Sequence, residues 1–263
     1  MEIALKIVKK IKAGERFAAY ILIPLFPEGD PAAAAGQEIL YWQNLTIKMM
    51  YKMIGDTLQD VGSDAHPRDY LNFYCLGNRE LRRAGEPEPS LPFANEAHKA
   101  AYKNRRFMIY VHSKMMIVDD EYIVVGSANI NQRSMAGTRD TEIAMGAYQP
   151  AFTVARVGGK YPKGEVYGFR MSLWAEHLAA IESSFETPSS LECVHKVNMM
   201  AESNWNLYVG PDNVDMKAHL MTYPIRISRF GAMDELPGYG KFPDMGGKVL
   251  GCPQKALPET LTT

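Results

Sequence analysis

The stretch 106–142 holds the residues whose types and spacing could do chemistry. They lie in or beside strand-like sequence, and they are His112, Lys114, Asp119, Ser127, Asn129 and Glu142. Because residues two apart on a strand point to the same face, His112 and Lys114 are predicted to project together, as are Ser127 and Asn129. A titratable imidazole beside a fixed cation suits an anionic substrate such as a phosphate.

The combination of these residues carries more weight than the histidine alone, since most histidines on strands are structural. Two polar pairs on one sheet edge would be costly in an apolar core. They would suit a phosphate pocket, in which Lys114 neutralises an oxygen while Ser127 and Asn129 donate hydrogen bonds. Gly126 would allow close backbone approach there. His112 would act on the phosphorus or the leaving group.

A hairpin is expected to position these groups. RFMIYV and YIVV are rich in β-branched and aromatic residues, and the acidic run 119–121 between them reads as a turn. The sequence therefore predicts a strand, a tight turn and a second strand, with His112 and Lys114 on the first strand.

The preceding sequence alternates helices and strands. Apolar residues at helical spacing predict an amphipathic helix over 3–12 and a long helix over 34–60. Between them, Phe17–Ile23 is a continuous apolar run, typical of a buried parallel strand, and Asp69–Leu76 is the next strand. This order predicts an α/β layered fold.

The rest of the chain continues the pattern with longer irregular segments. Residues 77–98 contain several Gly and Pro and predict a surface loop. A third strand is expected near 141–147, and helices over 166–185 and 188–200. Beyond residue 236 we expect irregular, partly exposed structure.

Composition narrows the function classes. The chain has 263 residues, 46% hydrophobic and 22% charged, with a formal net charge of −1, which argues against a general nucleic-acid-binding surface. The three cysteines are far apart and odd in number, so a reducing compartment is expected. The longest apolar run, Phe17–Phe26, is too short to span a bilayer, and no signal peptide is recognisable.

The motif H-x-K-x4-D formed by His112, Lys114 and Asp119, followed by the run GSAN over 126–129, resembles the HKD signature of the phospholipase D superfamily. Several other segments are similar to the plant alpha-type phospholipase D enzymes, and they include ERFAAYILIP, YLNFYCLGNRE, FMIYVHSK, TRDTEIAMGAYQP and YGFRMSLWAEH. The resemblance runs from the first helix to about residue 247.

The resemblance implies one half of a pseudo-symmetric α-β-α sandwich, with a catalytic half-domain over 1–185 and a helical and irregular region over 186–263 packed on it. It implies hydrolysis of phosphatidylcholine and related glycerophospholipids to phosphatidic acid and the free head group through a phosphohistidine, with transfer to primary alcohols as a second outcome. It also implies a cytoplasmic enzyme that associates peripherally with membranes.

The resemblance also assigns roles to individual residues. The motif is similar to the second of two copies in family enzymes, so His112 takes the acid/base role. Lys114, Ser127 and Asn129 match phosphate-binding positions. Glu142 matches a carboxylate that orients the imidazole, and Asp119 completes the motif with a largely architectural role.

The sequence departs from the family pattern in one respect that matters for catalysis. No second H-x-K occurs in it, and the first catalytic half and the lipid-binding C2 domain expected of plant enzymes are absent. We therefore expect a C-terminal portion of a larger enzyme, weak or inactive alone, whose partners are the N-terminal half and a phospholipid surface, with nucleic acid not expected. The alternatives are a single-motif, nuclease-like homodimer and a non-catalytic fragment that binds lipid or protein.

Calcium is implied as a cofactor by the resemblance alone. Four aspartates in the last third of the sequence invite a metal site: Asp212, Asp215, Asp234 and Asp244. Their spacing fits no EF-hand loop. We therefore expect solvated turn residues and assign no metal ligands.

Overall fold

The computed structural model describes residues 1–153 and 162–254. The α-helices of these ranges are α1 Glu2–Lys12, α2 Ala34–Asp60, α3 Glu96–Asn104, α4 Gln132–Met135, α5 Glu165–Leu178 and α6 Leu191–Val209. The strands are β1 Ala19–Leu22, β2 Leu71–Arg79, β3 Arg106–Ile109, β4 Lys114–Val118, β5 Tyr122–Gly126, β6 Ala144–Tyr148, β7 Leu220–Thr222, β8 Ile225–Ile227, β9 Met233–Glu235, β10 Lys241–Phe242 and β11 Gly246–Lys248.

The first sheet is built around β2. This strand pairs in parallel with β1 and antiparallel with β3 and β7. Its residues are nearly all buried, as expected for a strand covered on both faces. The parallel pairing of β1 with β2 confirms the prediction for the Phe17–Ile23 segment, although the residues of β1 are only half-buried.

Side chains of β2 alternate between two apolar clusters. Phe73 and Cys75 belong to the cluster that contains residues of α1 and α2. Tyr74 and Leu76 belong to a second cluster that contains residues of α5 and α6. Helices therefore cover the sheet on both faces, which confirms the α/β layered fold that the sequence predicts.

A buried arginine joins β2 to the end of α6. Arg79 is 0% exposed, and its guanidinium donates to the carbonyl oxygens of Asn104, Leu207 and Gly210 and to Oδ1 of Asn213, at 2.8–3.0 Å. Because the last carbonyls of a helix have no partner within the helix, a cation with several donors is a favourable cap.

The second sheet is an antiparallel meander of β4, β5 and β6. The predicted turn at 119–121 is present, but the predicted first strand is divided. Residues up to Ile109 pair with β2 in the first sheet, and residues from Lys114 pair with β5 in the second. His112 therefore lies in the connection between two sheets rather than on a strand.

Several element boundaries also differ from the predictions. β2 runs on to Arg79, and α3 begins at Glu96 within the expected loop 77–98. α5 ends at Leu178, because Ala179 adopts the left-handed conformation with φ 50°. α6 begins at Leu191 and extends to Val209, nine residues beyond the predicted end at 200.

The region after residue 236 is more ordered than expected. β10 and β11 pair antiparallel, and Phe242 and Val249 are buried in the same cluster as α1 and α2. Residues 255–263 lie outside the described residues. The predicted division near residue 186 stays a prediction, and α6 contributes to both apolar clusters. Among the described helices, none is both long and apolar enough to cross a bilayer.

Candidate active site

The residues predicted to do chemistry, except Asp119, lie at or beside one end of the second sheet. In its register, Lys114 of β4 lies opposite Gly126 of β5, which lies opposite Ala144 of β6. Ser127 directly follows Gly126, and Glu142 lies two residues before Ala144. The structure therefore brings the β4, β5 and β6 ends of the motif together.

Gly126 allows the strands to approach closely at this point. A Cβ atom there would lie 2.7 Å from the Cα atom of Ala144 and against the carbonyl oxygen of Ile143. Any side chain would push β6 away from β5. The close approach is thus to the neighbouring strand, and it keeps Ser127 beside Glu142.

The Glu142 carboxylate accepts two serine hydroxyls. Ser127 Oγ donates to Glu142 Oε2 at 2.5 Å, and Ser134 Oγ donates to Oε1 at 2.6 Å. The hydrogen bond from Ser127, then that from Ser134, and the charges of Lys114 and Arg133 lower the pKa of Glu142. This carboxylate is therefore held in its charged form within reach of the field of Lys114.

Ser134 is a site residue that sequence reasoning missed. It lies in the four-residue helix α4, where its backbone N–H is accepted by Asn131 Oδ1 at 3.0 Å. Its hydroxyl accepts the backbone N–H of Asn129 at 3.1 Å. One hydroxyl thus links Asn129 to Glu142. The capping pattern Asn131-x-x-Ser134 was the available signal.

His112 and Lys114 lie on the open side of this cluster. Lys114 Nζ donates to the backbone carbonyl oxygen of His112 at 2.5 Å, so the ammonium lies beside the histidine. His112 is exposed, and its ring is tilted by 32° to the Tyr110 ring, with the ring centroids 6.2 Å apart. Within the described residues the imidazole has no hydrogen-bond partner. Glu142, expected to orient it, is instead engaged by the two serines; the roles assigned to these residues stay predictions.

Asp119 lies at the opposite end of the hairpin from Lys114, about 17 Å away along a five-residue strand. It begins the turn, with φ 53°, and Asp120 follows with φ 56°. Asp120 is buried and pairs with Arg170 of α5, Oδ1 to Nε at 2.7 Å and Oδ2 to Nη2 at 2.8 Å. The structure therefore shows an architectural ion pair at the residue after the motif aspartate.

Residues 1–153 and 162–254 contain no cluster of side chains suited to bind calcium. No group of three or more His, Cys, Asp or Glu side chains in these ranges could hold a metal ion. Three of the tempting aspartates pair with cations instead, Asp215 with Lys217, Asp234 with Arg226 and Asp244 with Arg106.

A family model described as phospholipase D matches residues 1–251. The chain belongs to the phospholipase D family. Over its full length it is 56% identical to phospholipase D delta and 55% identical to phospholipase D beta 1, both of Arabidopsis thaliana. It is 53% identical to phospholipase D alpha 1 of Cynara cardunculus. The similarity that the sequence suggested for the alpha type is thus shared with other plant types.

These relatives are much longer than this chain. It covers 30% of the delta enzyme, 24% of the beta 1 enzyme and 32% of the alpha 1 enzyme. The chain thus spans about a quarter to a third of the length of these relatives, and the activity of a whole phospholipase D is assigned to it only as a proposal.

Proposed function

We propose that this chain supplies one half of the active site of a phospholipase D that hydrolyses phosphatidylcholine and related glycerophospholipids. The observation that carries the proposal is the convergence of Lys114, Ser127 and Glu142 at one sheet end, with Asn129 tied to them through Ser134. A cation, hydroxyl and amide donors, and an ordered carboxylate together suit a phosphodiester.

The proposed reaction has two steps. A histidine outside this sequence attacks phosphorus, and the bond from phosphorus to the head-group oxygen breaks as His112 gives that oxygen a proton. His112 then takes a proton from water, whose oxygen displaces the histidine from phosphorus and yields phosphatidic acid. A primary alcohol in place of water yields a phosphatidyl alcohol. Lys114 stabilises the added negative charge in both steps.

The exposed apolar residues of the β4–β5–β6 sheet favour a binding partner for this half of the active site. Met115, Val125 and Met145 share one face through the strand register, and they are 40%, 44% and 72% exposed. Exposed apolar side chains in a contiguous group mark interaction surfaces. We infer that a segment with the other H-x-K-x4-D motif packs against this sheet and brings its histidine opposite His112.

The proposal also includes peripheral membrane binding and calcium dependence, and we assign no residue of this chain to either. The substrate lies in a lipid surface, so the assembled enzyme must dock on it peripherally. Calcium dependence is expected of the assembled enzyme only, since the described residues present no ligand set. The test is to measure choline release at increasing chelator concentration. Comparing the assembled enzyme with variants changed outside this sequence then shows where calcium acts.

The test uses a polypeptide that contains this sequence together with another H-x-K-x4-D motif. We expect His112→Asn to abolish choline release from phosphatidylcholine vesicles. His98→Asn is the matched control, because His98 is an exposed histidine on α3. Choline release by the His112 variant at the rate of the unaltered enzyme would refute the assigned role.

A single motif also fits a second candidate, a homodimer in which two copies of His112 share one phosphodiesterase site. It predicts a dimer by light scattering and cleavage of plasmid DNA by the isolated chain. The net charge of −1 speaks against a nucleic-acid substrate. A monomer that leaves both DNA and phosphatidylcholine intact agrees with the half-site proposal.

A further inference from the structure

A buried ion pair joins the turn between β4 and β5 to α5. The Asp120 carboxylate and the Arg170 guanidinium form two parallel hydrogen bonds of 2.7 and 2.8 Å, with 1% and 7% of their side-chain surfaces exposed. Arg170 Nη2 also donates to the carbonyl oxygen of Phe185 at 2.9 Å. Its guanidinium lies 4.8 Å from the ring centre of Trp174. Bidentate pairing of this kind fixes orientation as well as distance.

The backbone of the turn is unfavourable for an aspartate at this position. Asp119 and Asp120 both have positive φ, and Glu121 N donates to Val118 O at 3.0 Å, as in a type I′ turn. Gly is the preferred second central residue of such a turn. A buried, charged aspartate in its place is maintained by its contacts, and strained residues of this kind point to a specific role.

Gln149, directly after β6, joins the same three parts. Its Nε2 donates to the carbonyl oxygen of Asp120 at 2.8 Å, and its Oε1 accepts the backbone N–H of Val166 at 3.1 Å. Val166 lies in the first turn of α5, whose N-cap Gly164 has no side-chain acceptor. One amide therefore caps α5 and holds the hairpin turn.

We propose that Asp120, Arg170 and Gln149 form a clamp that positions the β4–β5–β6 sheet on α5. Both faces of this sheet carry exposed apolar residues, so packing alone holds it weakly. The clamp holds the turn end of the sheet, and the rigid strands carry that orientation to Lys114 and Ser127 at the other end. These are positioning residues, and their catalytic effect rests on the proposed function.

Hydrogen exchange on the chain itself tests the clamp without any activity. In Asp120→Asn, we expect amides of β4, β5 and β6 to exchange at least tenfold faster, while amides of β2 keep their rates. Asp119→Gly is the matched control, because it relaxes the same turn without touching Arg170, and its sheet amides should exchange no faster. Unchanged exchange in the Asn variant, or an equal acceleration in β2, would overturn the clamp.

A second variant keeps the test decisive if Asp120→Asn fails to fold. Asp120→Leu combined with Arg170→Met removes both charges, and such apolar replacements of buried pairs commonly remain folded. Because leucine is strained at the positive φ of position 120, we expect a lower unfolding temperature, with exchange accelerated more in β4–β6 than in β2. If the amides of β4–β6 exchange as slowly as in the unaltered chain, the ion pair only offsets the cost of burying its own charges, and the proposal is overturned.

In the assembled enzyme, Asp120→Asn should lower kcat at least tenfold with KM nearly unchanged, and Arg170→Lys should retain part of the activity. An unchanged kcat would overturn the positioning role. If the unaltered assembly releases no choline, the proposed function fails while the exchange result stands by itself.

Discussion

A close crossing between α2 and the turn at 228–231 makes Gly55 a sharp test of the packing. A Cβ atom at Gly55 would lie 2.5 Å from the carbonyl carbon of Phe230 and 2.7 Å from the backbone nitrogen of Gly231, with the Phe230 oxygen nearer still. Gly231 has φ +76° and lies against the backbone of Tyr51. Both partners at this crossing are backbone, so neither can move aside as a side chain would.

The magnitude of Gly55→Ala follows from two opposing terms. Alanine gains about 1 kcal/mol of helix propensity over glycine in a helix interior. Overpacking against a rigid neighbour costs about 3 kcal/mol, the upper part of the usual range. The expected net loss is about 2 kcal/mol of the free energy of unfolding, or about 4–8 °C in Tm for a chain of this size.

Gly168→Ala is the matched control, because Gly168 lies in α5 with no atom within 4 Å of its Cβ position. Only the propensity term acts there, so Tm should rise by about 2–4 °C. Urea unfolding of both variants, followed by circular dichroism, gives the two free energies. A Gly55 variant as stable as the Gly168 variant would refute the close crossing.

Three further predictions concern local networks. Burial lowers the pKa of His66, whose Nδ1 accepts the Arg68 N–H at 3.1 Å, so the free energy of unfolding should fall as the pH falls below 6.5. In His66→Asn, whose amide oxygen can still accept that N–H, the free energy of unfolding measured in urea should depend less on pH. Arg79→Met leaves buried carbonyls unpaired and should cost about 3 kcal/mol or more by the same assay. Ser134→Ala removes a hydrogen bond to Glu142 and should raise the pKa of that carboxyl, measured by NMR titration.

Local patterns sufficed for the main elements of the fold. The apolar spacing over 34–60 predicts α2 with the bounds the structure has, because helical periodicity is a property of one segment. The run 69–76 predicts a strand, and β2 lies there, whereas the burial predicted for Phe17–Ile23 is only partial in β1. The acidic turn at 119–121 also lies where the sequence places it, since turn residues act locally.

Contacts between residues distant in the sequence could not be predicted from local patterns. Whether the residues around His112 continue one strand depends on which neighbour each end pairs with, and β3 pairs with β2 whereas β4 pairs with β5. The Asp120–Arg170 pair joins residues 50 positions apart, and nothing in either local sequence announces the other. The role of Ser134 required knowing that α4 folds back over the end of β5.

The site is organised as half of a phosphodiester site would need to be. The side proposed to bind phosphate is held in place, because Ser127 and Ser134 donate to Glu142 and the strand register places Lys114 opposite Gly126. The imidazole side is open, because His112 lies in the connection between two sheets and its ring is exposed. The proposed partner with the attacking histidine could therefore approach His112 without displacing the groups proposed to bind the phosphate. The buried pair of Asp120 with Arg170 lies at the far end of the sheet, and in the proposed clamp it would hold the sheet while the end with Lys114 stays exposed to a partner.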